Sequence, residues 1–158
     1  MPRPASRTLF VVVPGASQSP SHYASLLHLL HSQGYPTLSA LLPTTGTGEQ
    51  VTAEDDAAYI RSRMLLPVLD VEKHNVIIVT HSYSGMPGSA AATGLGKADR
   101  AAQGKMTSVL GQIFIASILP RGGDGKDVVA TFGGQLPPHI SVDVRNECFP
   151  RFRVPCGR

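Results

Sequence analysis

The sequence from Asn75 to Gly85 reads Asn-Val-Ile-Ile-Val-Thr-His-Ser-Tyr-Ser-Gly and joins an apolar run to a cluster of small residues. The β-branched run at its start is typical of a strand that is buried on both faces. The segment at 89–92 that follows is rich in alanine, which indicates a helix. We therefore predict a strand, a sharp turn and a helix, with Ser82 at the apex of the turn.

The residues two before and two after this apex are Thr80 and Ser84. A chain that turns so tightly packs against itself, and the usual pattern G-x-S-x-G has glycines at both positions. In that pattern the serine is a nucleophile, and the amide of the next residue, here Tyr83, points to where an oxyanion forms. The residues also allow an alternative, in which Ser82 only caps the helix after a central strand.

Three further apolar runs have the length and the β-branched content of strands, at residues 8–13, 36–42 and 109–119. Helical patterns separate these runs. Such alternation predicts a mostly parallel sheet with helices on both faces, a three-layer α/β/α sandwich. Ligands of such sheets bind outside the carboxyl ends of the strands. Three features lie at that edge, namely Pro14-Gly15-Ala16, Ser82-Tyr83 and Leu119-Pro120.

Two helices are predicted between the first three strands. The first follows Ser19-Pro20 and has one apolar face, formed by Tyr23, Leu26, Leu27 and Leu30. The second begins with a capping box between Thr52 and Asp55. Pro67 lies inside the second helix and is expected to kink or end it. Residues 94–106 are predicted to form a polar loop.

The composition is that of a globular chain, with 42% hydrophobic and 16% charged residues among 158. The net charge of +3 is small and scattered, so we predict no nucleic-acid surface. The sequence shows no signal peptide and no apolar run of membrane-spanning length, which predicts a cytoplasmic protein without a membrane partner. Cys148 and Cys156 lack the spacing of metal ligands, so no metal and no cofactor is predicted.

Four segments together resemble the α/β-hydrolase fold, in particular small fungal esterase-like hydrolases related to plant methyl-ester hydrolases. They are V-V-V-P-G-A at 11–16, Q-G-Y-P-T at 33–37, H-S-Y-S-G-M-P-G-S-A at 81–90 and I-F-I-A-S at 113–117. The similarity spans roughly residues 8–138. It implies an α/β-hydrolase core at 1–120, followed at 121–158 by a partial lid and an irregular tail.

The resemblance also implies roles for individual residues. Ser82 matches the nucleophile of the family, and the oxyanion amides map to Tyr83 and to Ala16 or its neighbour. The candidate substrate-binding residues are Gly15, Met86 and Phe132. The implied substrate is a small ester or lactone. Fungal members of this kind often serve secondary metabolism, where the fold also performs non-hydrolytic steps.

The family places its acid and its histidine on later strands, and the sequence ends before them. We therefore expect a C-terminally truncated member that lacks the later strands. No residue matches the acid or the histidine by motif. We interpret the side chain of each histidine as exposed to solvent or packed in the fold, and not as a base. The six histidines are His22, His28, His31, His74, His81 and His139.

Two functions therefore remain open. The first is a serine hydrolase that uses Ser82 as its nucleophile. The second is a truncated, non-hydrolytic protein that binds a small ligand, catalyses a non-hydrolytic step or pairs with another chain. Loss of the later strands would leave the strand near 113–118 uncovered, and exposed edges invite pairing. We therefore predict a homodimer, or poor solubility as a monomer.

Overall fold

The chain folds around a parallel β-sheet. The computed structural model describes residues 7–46 and 51–119 and, further along, the backbone at 141–143 and 151–153. The sheet has the order β2-β1-β3-β4, and its strands are β1 (Thr8–Val13), β2 (Thr37–Ser39), β3 (Asn75–His81) and β4 (Val109–Ile115). Every neighbouring pair is parallel, which confirms the predicted α/β class.

Helices connect the strands. A 3₁₀ turn at Pro20–Tyr23 leads into α1 (Ala24–Ser32). The next connection is one long helical segment, in which a π-helical stretch at Ile60–Leu65 joins α2 (Ala53–Tyr59) to α3 (Leu66–Asp70). A 3₁₀ turn at Ser82–Ser84 precedes α4 (Gly85–Ala92). Across the ranges that the structure describes, no helix has both the length and the apolarity needed to cross a bilayer.

A short helix, α5 (Lys97–Ala102), lies where the sequence predicts a polar loop. Arg100 of this helix is 2% exposed, and its guanidinium donates to Asp70 Oδ1 at 2.8 Å and to the Thr107 carbonyl at 2.9 Å. Tertiary contacts therefore stabilise a helix that has little apolar patterning of its own. The prediction of a loop was wrong because an arginine in a polar segment gives no sign of burial.

Two more strands, β5 (Ser141–Asp143) and β6 (Arg151–Arg153), form a separate antiparallel pair. They belong to a second compact unit, distinct from the one that holds the parallel sheet. The sequence predicts no further strand–helix unit after residue 140, and the pair of β5 and β6 is not such a unit. The two strands themselves are not predicted from the sequence. The division at residue 120 and the lid at 121–158 stay predictions, since most of that segment is outside the described residues.

The main core lies between the sheet and the α2–α4 helices. Alternate residues of β1 and β3, among them Val11 and Ile78, are fully buried there against Ile60, Met64 and Leu69. Each such aliphatic side chain contributes about 1.5–3 kcal/mol to stability when it leaves water. The predicted apolar face of the first helix is half-buried. It consists of Tyr23, at the end of the 3₁₀ turn, and of Leu26, Leu27 and Leu30 on α1.

The strand order determines where a ligand site can form. From β1 the chain crosses to β2 on one side, and β3 then pairs with β1 on the other side. A crevice opens at such a reversal, outside the carboxyl ends of the two strands. The residues that follow β1 and β3, at 14–16 and 82–84, therefore meet at one edge of the sheet.

Candidate active site

Ser82 occupies the turn between β3 and α4, as the sequence predicts. Its backbone has φ 55°, in the left-handed region, and its side chain is half-buried. A non-glycine residue in this region is strained, and such strain is typical of a serine presented at the end of a strand. The predicted strand, sharp turn and helix are therefore present, with Ser82 at the apex.

The small residues around Ser82 have separate tasks. Thr80 and Ser84 are both fully buried. The Ser84 hydroxyl donates to the Val13 carbonyl at 2.8 Å and accepts the His81 N–H at 2.9 Å, so it joins the turn to the end of β1. A Cβ added at Gly88 would lie 2.6 Å from the Thr80 Cγ2, so α4 approaches β3 too closely for a side chain there.

The segment after β4 holds the turn from the other side. The Ile118 N–H donates to the Ser82 carbonyl at 2.9 Å, and the Ser117 hydroxyl donates to the Thr80 carbonyl at 3.0 Å. The sequence predicts Leu119-Pro120 at this edge, but it does not predict the contact made by Ser117. The available signal was the change from apolar residues to serine at the end of the I-F-I-A-S segment, 113–117.

The loop after β1 is held by Tyr23. The Gly15 N–H donates to the Tyr23 hydroxyl oxygen at 3.0 Å, and Gly15 is buried. A Cβ at Gly15 would lie 2.9 Å from Gln18 Oε1 and 3.0 Å from His81 Nδ1, so the position requires glycine. Ala16 is exposed, and within the described part of the chain its N–H has no acceptor.

The His81 side chain contacts residues that hold this loop and not the Ser82 hydroxyl. Its Nδ1 lies 2.8 Å from the Tyr23 hydroxyl, which itself donates to Gln18 Oε1. Since the single Tyr23 proton goes to Gln18, we assign the Nδ1 proton of His81 as the donor to Tyr23. Burial raises the pKa of Tyr23, and the Gly15 N–H acts in the opposite direction.

Tyr83 follows the serine, and its side chain extends into the core. Its N–H lies in the first turn of a helix, where amides have no intrahelical acceptor. Its hydroxyl donates to Asp56 Oδ2 at 3.0 Å. Burial raises the pKa of Tyr83 well above its usual value, and the neighbouring Asp56 carboxylate raises it further.

Asp56 is a buried carboxylate that the sequence analysis did not single out. In the sequence it lies beside Glu54 and Asp55, both of which are exposed. A signal was available, because Asp56 stands four residues before Ile60 and eight before Met64. It therefore shares the buried face of the helix.

No base for Ser82 is found among residues 7–46 and 51–119, where no side chain hydrogen-bonds to its Oγ. His22, His28 and His31 are exposed, and His74 precedes β3 at the opposite edge of the sheet. Of the remaining predicted site residues, Met86 is half-buried on α4. His139 and Phe132 lie outside the described residues.

Comparison with known proteins gives the family. The model of the alpha/beta hydrolase family matches residues 10–156. Alpha/beta hydrolase nvfD of Aspergillus novofumigatus is 31% identical over 90 residues, which are 56% of this chain and 35% of that protein. Probable hydrolase R7 of a Phoma species is 28% identical over 125 residues, 77% of this chain and 47% of that protein.

The aligned part of the chain thus spans about a third to a half of the length of these curated relatives. The family model, in contrast, matches nearly the whole of the chain. The parallel sheet and the strained serine turn at its carboxyl edge agree with that match. This chain belongs to the alpha/beta hydrolase family.

Proposed function

We propose that the chain carries the nucleophile and the oxyanion site of a serine hydrolase that acts on a small ester or lactone. The observation that carries this proposal is the left-handed backbone of Ser82, φ 55°, at the carboxyl edge between β1 and β3. The Ser82 hydroxyl attacks the substrate carbonyl, and its proton passes to a base. The ester C–O bond then breaks, and the alcohol takes up that proton and leaves, or in a lactone stays attached to the acyl group. Water finally hydrolyses the acyl-serine and releases the acid. On the family resemblance, we place this reaction in fungal secondary metabolism.

The amides of Ala16 and Tyr83 are the proposed oxyanion donors. The Gly15 N–H already donates to Tyr23, which leaves Ala16 as the next free amide of the loop after β1. The Tyr23 network keeps that loop next to the turn, since it joins Gly15 to His81. Loss of one oxyanion donor costs about 2.7–4 kcal/mol in the barrier of known hydrolases. The rate therefore depends on backbone placement at both positions as well as on the serine.

The base and the acid are proposed to lie outside residues 7–119. His139 is one candidate for the base. Because a serine without a base is a weak nucleophile, the proposal requires a base within this chain or its oligomer.

The test is hydrolysis of p-nitrophenyl acetate and butyrate and of small lactones by the purified chain. We expect turnover that Ser82→Ala abolishes, and a loss by a factor of about a hundred or more in His139→Ala would identify that histidine as the base. His28→Ala is the matched control, because His28 is exposed on α1 and should leave the rate unchanged. Equal turnover by the chain and by Ser82→Ala would contradict the proposal.

A second candidate function is pairing or ligand binding along β4. Within the four-stranded sheet β4 is an edge strand, and its large apolar side chains are 40–51% exposed at Leu110, Ile113, Phe114 and Ile115. An open cleft of about 330 Å³ runs along this strand, between Ala92 and Phe114, and none of the residues that line it belongs to the serine turn. Exposed apolar edges favour association, so we propose a second copy of the chain as the partner of β4.

A further inference from the structure

Asp56 is a carboxylate with no exposed surface, and it belongs to neither the nucleophile nor the oxyanion amides. Its Oδ1 accepts the Thr44 N–H at 3.0 Å. Its Oδ2 accepts the Thr44 hydroxyl at 2.6 Å and the Tyr83 hydroxyl at 3.0 Å. A buried carboxylate is costly unless donors surround it, and here three donors do. The carboxylate thus joins α2, the loop after β2 and the serine turn.

Of the two residues that donate to Asp56, Tyr83 is the one whose backbone N–H is a proposed oxyanion donor. Its ring packs against the core, and its hydroxyl is held by the Asp56 carboxylate at the far end. The other contacts of the turn act on neighbouring groups, namely the Ser82 carbonyl and the Ser84 hydroxyl. The hydrogen bond to Asp56, in contrast, is donated by the Tyr83 side chain itself.

We propose that Asp56 is a positioning residue that aims the Tyr83 N–H at the oxyanion through the Tyr83 side chain. This inference rests on the proposed function, because it assigns a task to Tyr83 as an oxyanion donor. A donor must already point to where the charge develops, and small displacements of a catalytic group reduce rates strongly. With the ring fixed at both ends, the peptide between Ser82 and Tyr83 has little freedom to rotate.

The experiment compares Tyr83→Phe and Asp56→Asn with the unmodified chain. The readout is the rate at which a fluorophosphonate probe labels Ser82, measured where circular dichroism shows each protein folded. We expect each variant to react about tenfold more slowly, the order of a lost hydrogen bond to a charged group. The double variant should react no more slowly than the slower single variant, because both changes break the contact between Tyr83 and Asp56.

Two controls separate positioning from a loss of stability. Tyr59→Phe removes a hydroxyl from a tyrosine that packs against the same core and has no hydrogen bond among the described residues, so it should label at the unmodified rate. Asp70→Ala removes an ion pair away from the turn and should lower stability without changing the labelling rate. A folded Tyr83→Phe that labels as fast as the unmodified chain would overturn the inference.

A second readout keeps the inference separate from the proposed function. If the unmodified chain does not react with the probe, the proposed function fails, and hydrogen exchange of the amides at 82–92 then tests the positioning. We expect exchange about tenfold faster in Tyr83→Phe than in Tyr59→Phe, because the turn loses its restraint. Equal exchange in the two variants would show that Asp56 does not hold the turn.

Discussion

Ser82 has a backbone conformation that costs a non-glycine residue on the order of 1–3 kcal/mol. The conformation persists because contacts on several sides require it. The Ile118 N–H holds the Ser82 carbonyl, and the Ser84 hydroxyl holds the end of β1. These contacts hold the backbone of Ser82 in the strained conformation from both sides.

The first prediction concerns the contact between α4 and β3 below the serine. Gly88→Ala would place a Cβ 2.6 Å from the Thr80 Cγ2, so helix and strand must move apart. We expect a loss of about 1–3 kcal/mol in the free energy of unfolding, measured by urea denaturation. Activity at Ser82 should fall with it, because α4 begins three residues after the serine.

Gly111→Ala is the control for this prediction. Gly111 has no atom within 4 Å of an added Cβ, so its substitution should change stability by less than about 0.5 kcal/mol. Thr80→Ser removes the methyl group and should restore most of the stability that Gly88→Ala loses. A Gly88→Ala chain as stable as the unmodified chain would show that α4 does not approach β3 closely at Thr80.

At the residue scale, the sequence was informative where steric demand restricts the choice of amino acid. Ser82 and its small neighbours were predicted because a tight turn accepts few side chains. Asp56 was not predicted, because its burial depends on how α2 rests against the core. The composition of an acidic triplet does not show which carboxylate is inside.

At the element scale, the long helix from Ala53 to Asp70 shows how a proline can be accommodated. Pro67 was expected to kink or end the helix, and the structure widens it into a π-helical stretch at Ile60–Leu65 instead of ending it. Arg61 of this stretch donates to the carbonyls of Ala91 and Thr93 at 2.8 and 2.7 Å, so it satisfies the end of α4. The helical pattern alone predicts neither the π-helical stretch nor the contacts of Arg61, because both depend on how the segment packs against its neighbours.

The second prediction concerns the ion pair that joins α3 to α5. The bond from Arg100 lowers the pKa of Asp70, with a smaller contribution from Lys105. A carboxyl group whose pKa is lower in the folded than in the unfolded state stabilises the fold at pH values above its unfolded pKa. This stability is lost as the pH falls through the folded pKa. We expect Asp70→Ala to lose about 1–3 kcal/mol near neutral pH, by urea denaturation, since Arg100 stays buried without its partner.

The difference between Asp70→Ala and the unmodified chain should therefore shrink as the pH drops below about 4, the ordinary pKa of aspartate. Glu72→Ala is the control, because Glu72 is exposed and has no ion pair in the described part of the chain. A stability difference that stays constant from pH 7 to pH 3 would show that the charge of Asp70 is not what stabilises α5.

At the scale of the whole molecule, the alternation of strands and helices was enough to predict the α/β class. The order β2-β1-β3-β4 was not predicted, because it depends on which face each helix covers. The two-stranded pair of β5 and β6 was also missed, since strands of three residues carry almost no periodicity. The α/β class alone predicts a site at the carboxyl edge of the sheet, whatever the order of the strands.

The third prediction is self-association through β4. Sedimentation velocity of the 16.7 kDa chain should show a dimer at micromolar concentration. Ile113→Lys should shift the distribution to monomer, because it places a charge on an exposed edge strand. Leu29→Lys is the matched control, since Leu29 is exposed on α1 and not on the edge. A monomer at all concentrations would contradict pairing through β4.

The proposed hydrolysis requires above all that Ser82 is an activated nucleophile. The direct measurement is the intact mass of the folded chain after exposure to a fluorophosphonate probe, with Ser82→Ala and the exposed Ser25→Ala as matched variants. We predict one adduct on the unmodified chain and on Ser25→Ala, and none on Ser82→Ala. A folded chain that stays unlabelled, or an adduct that persists in Ser82→Ala, would show that Ser82 is not an activated nucleophile.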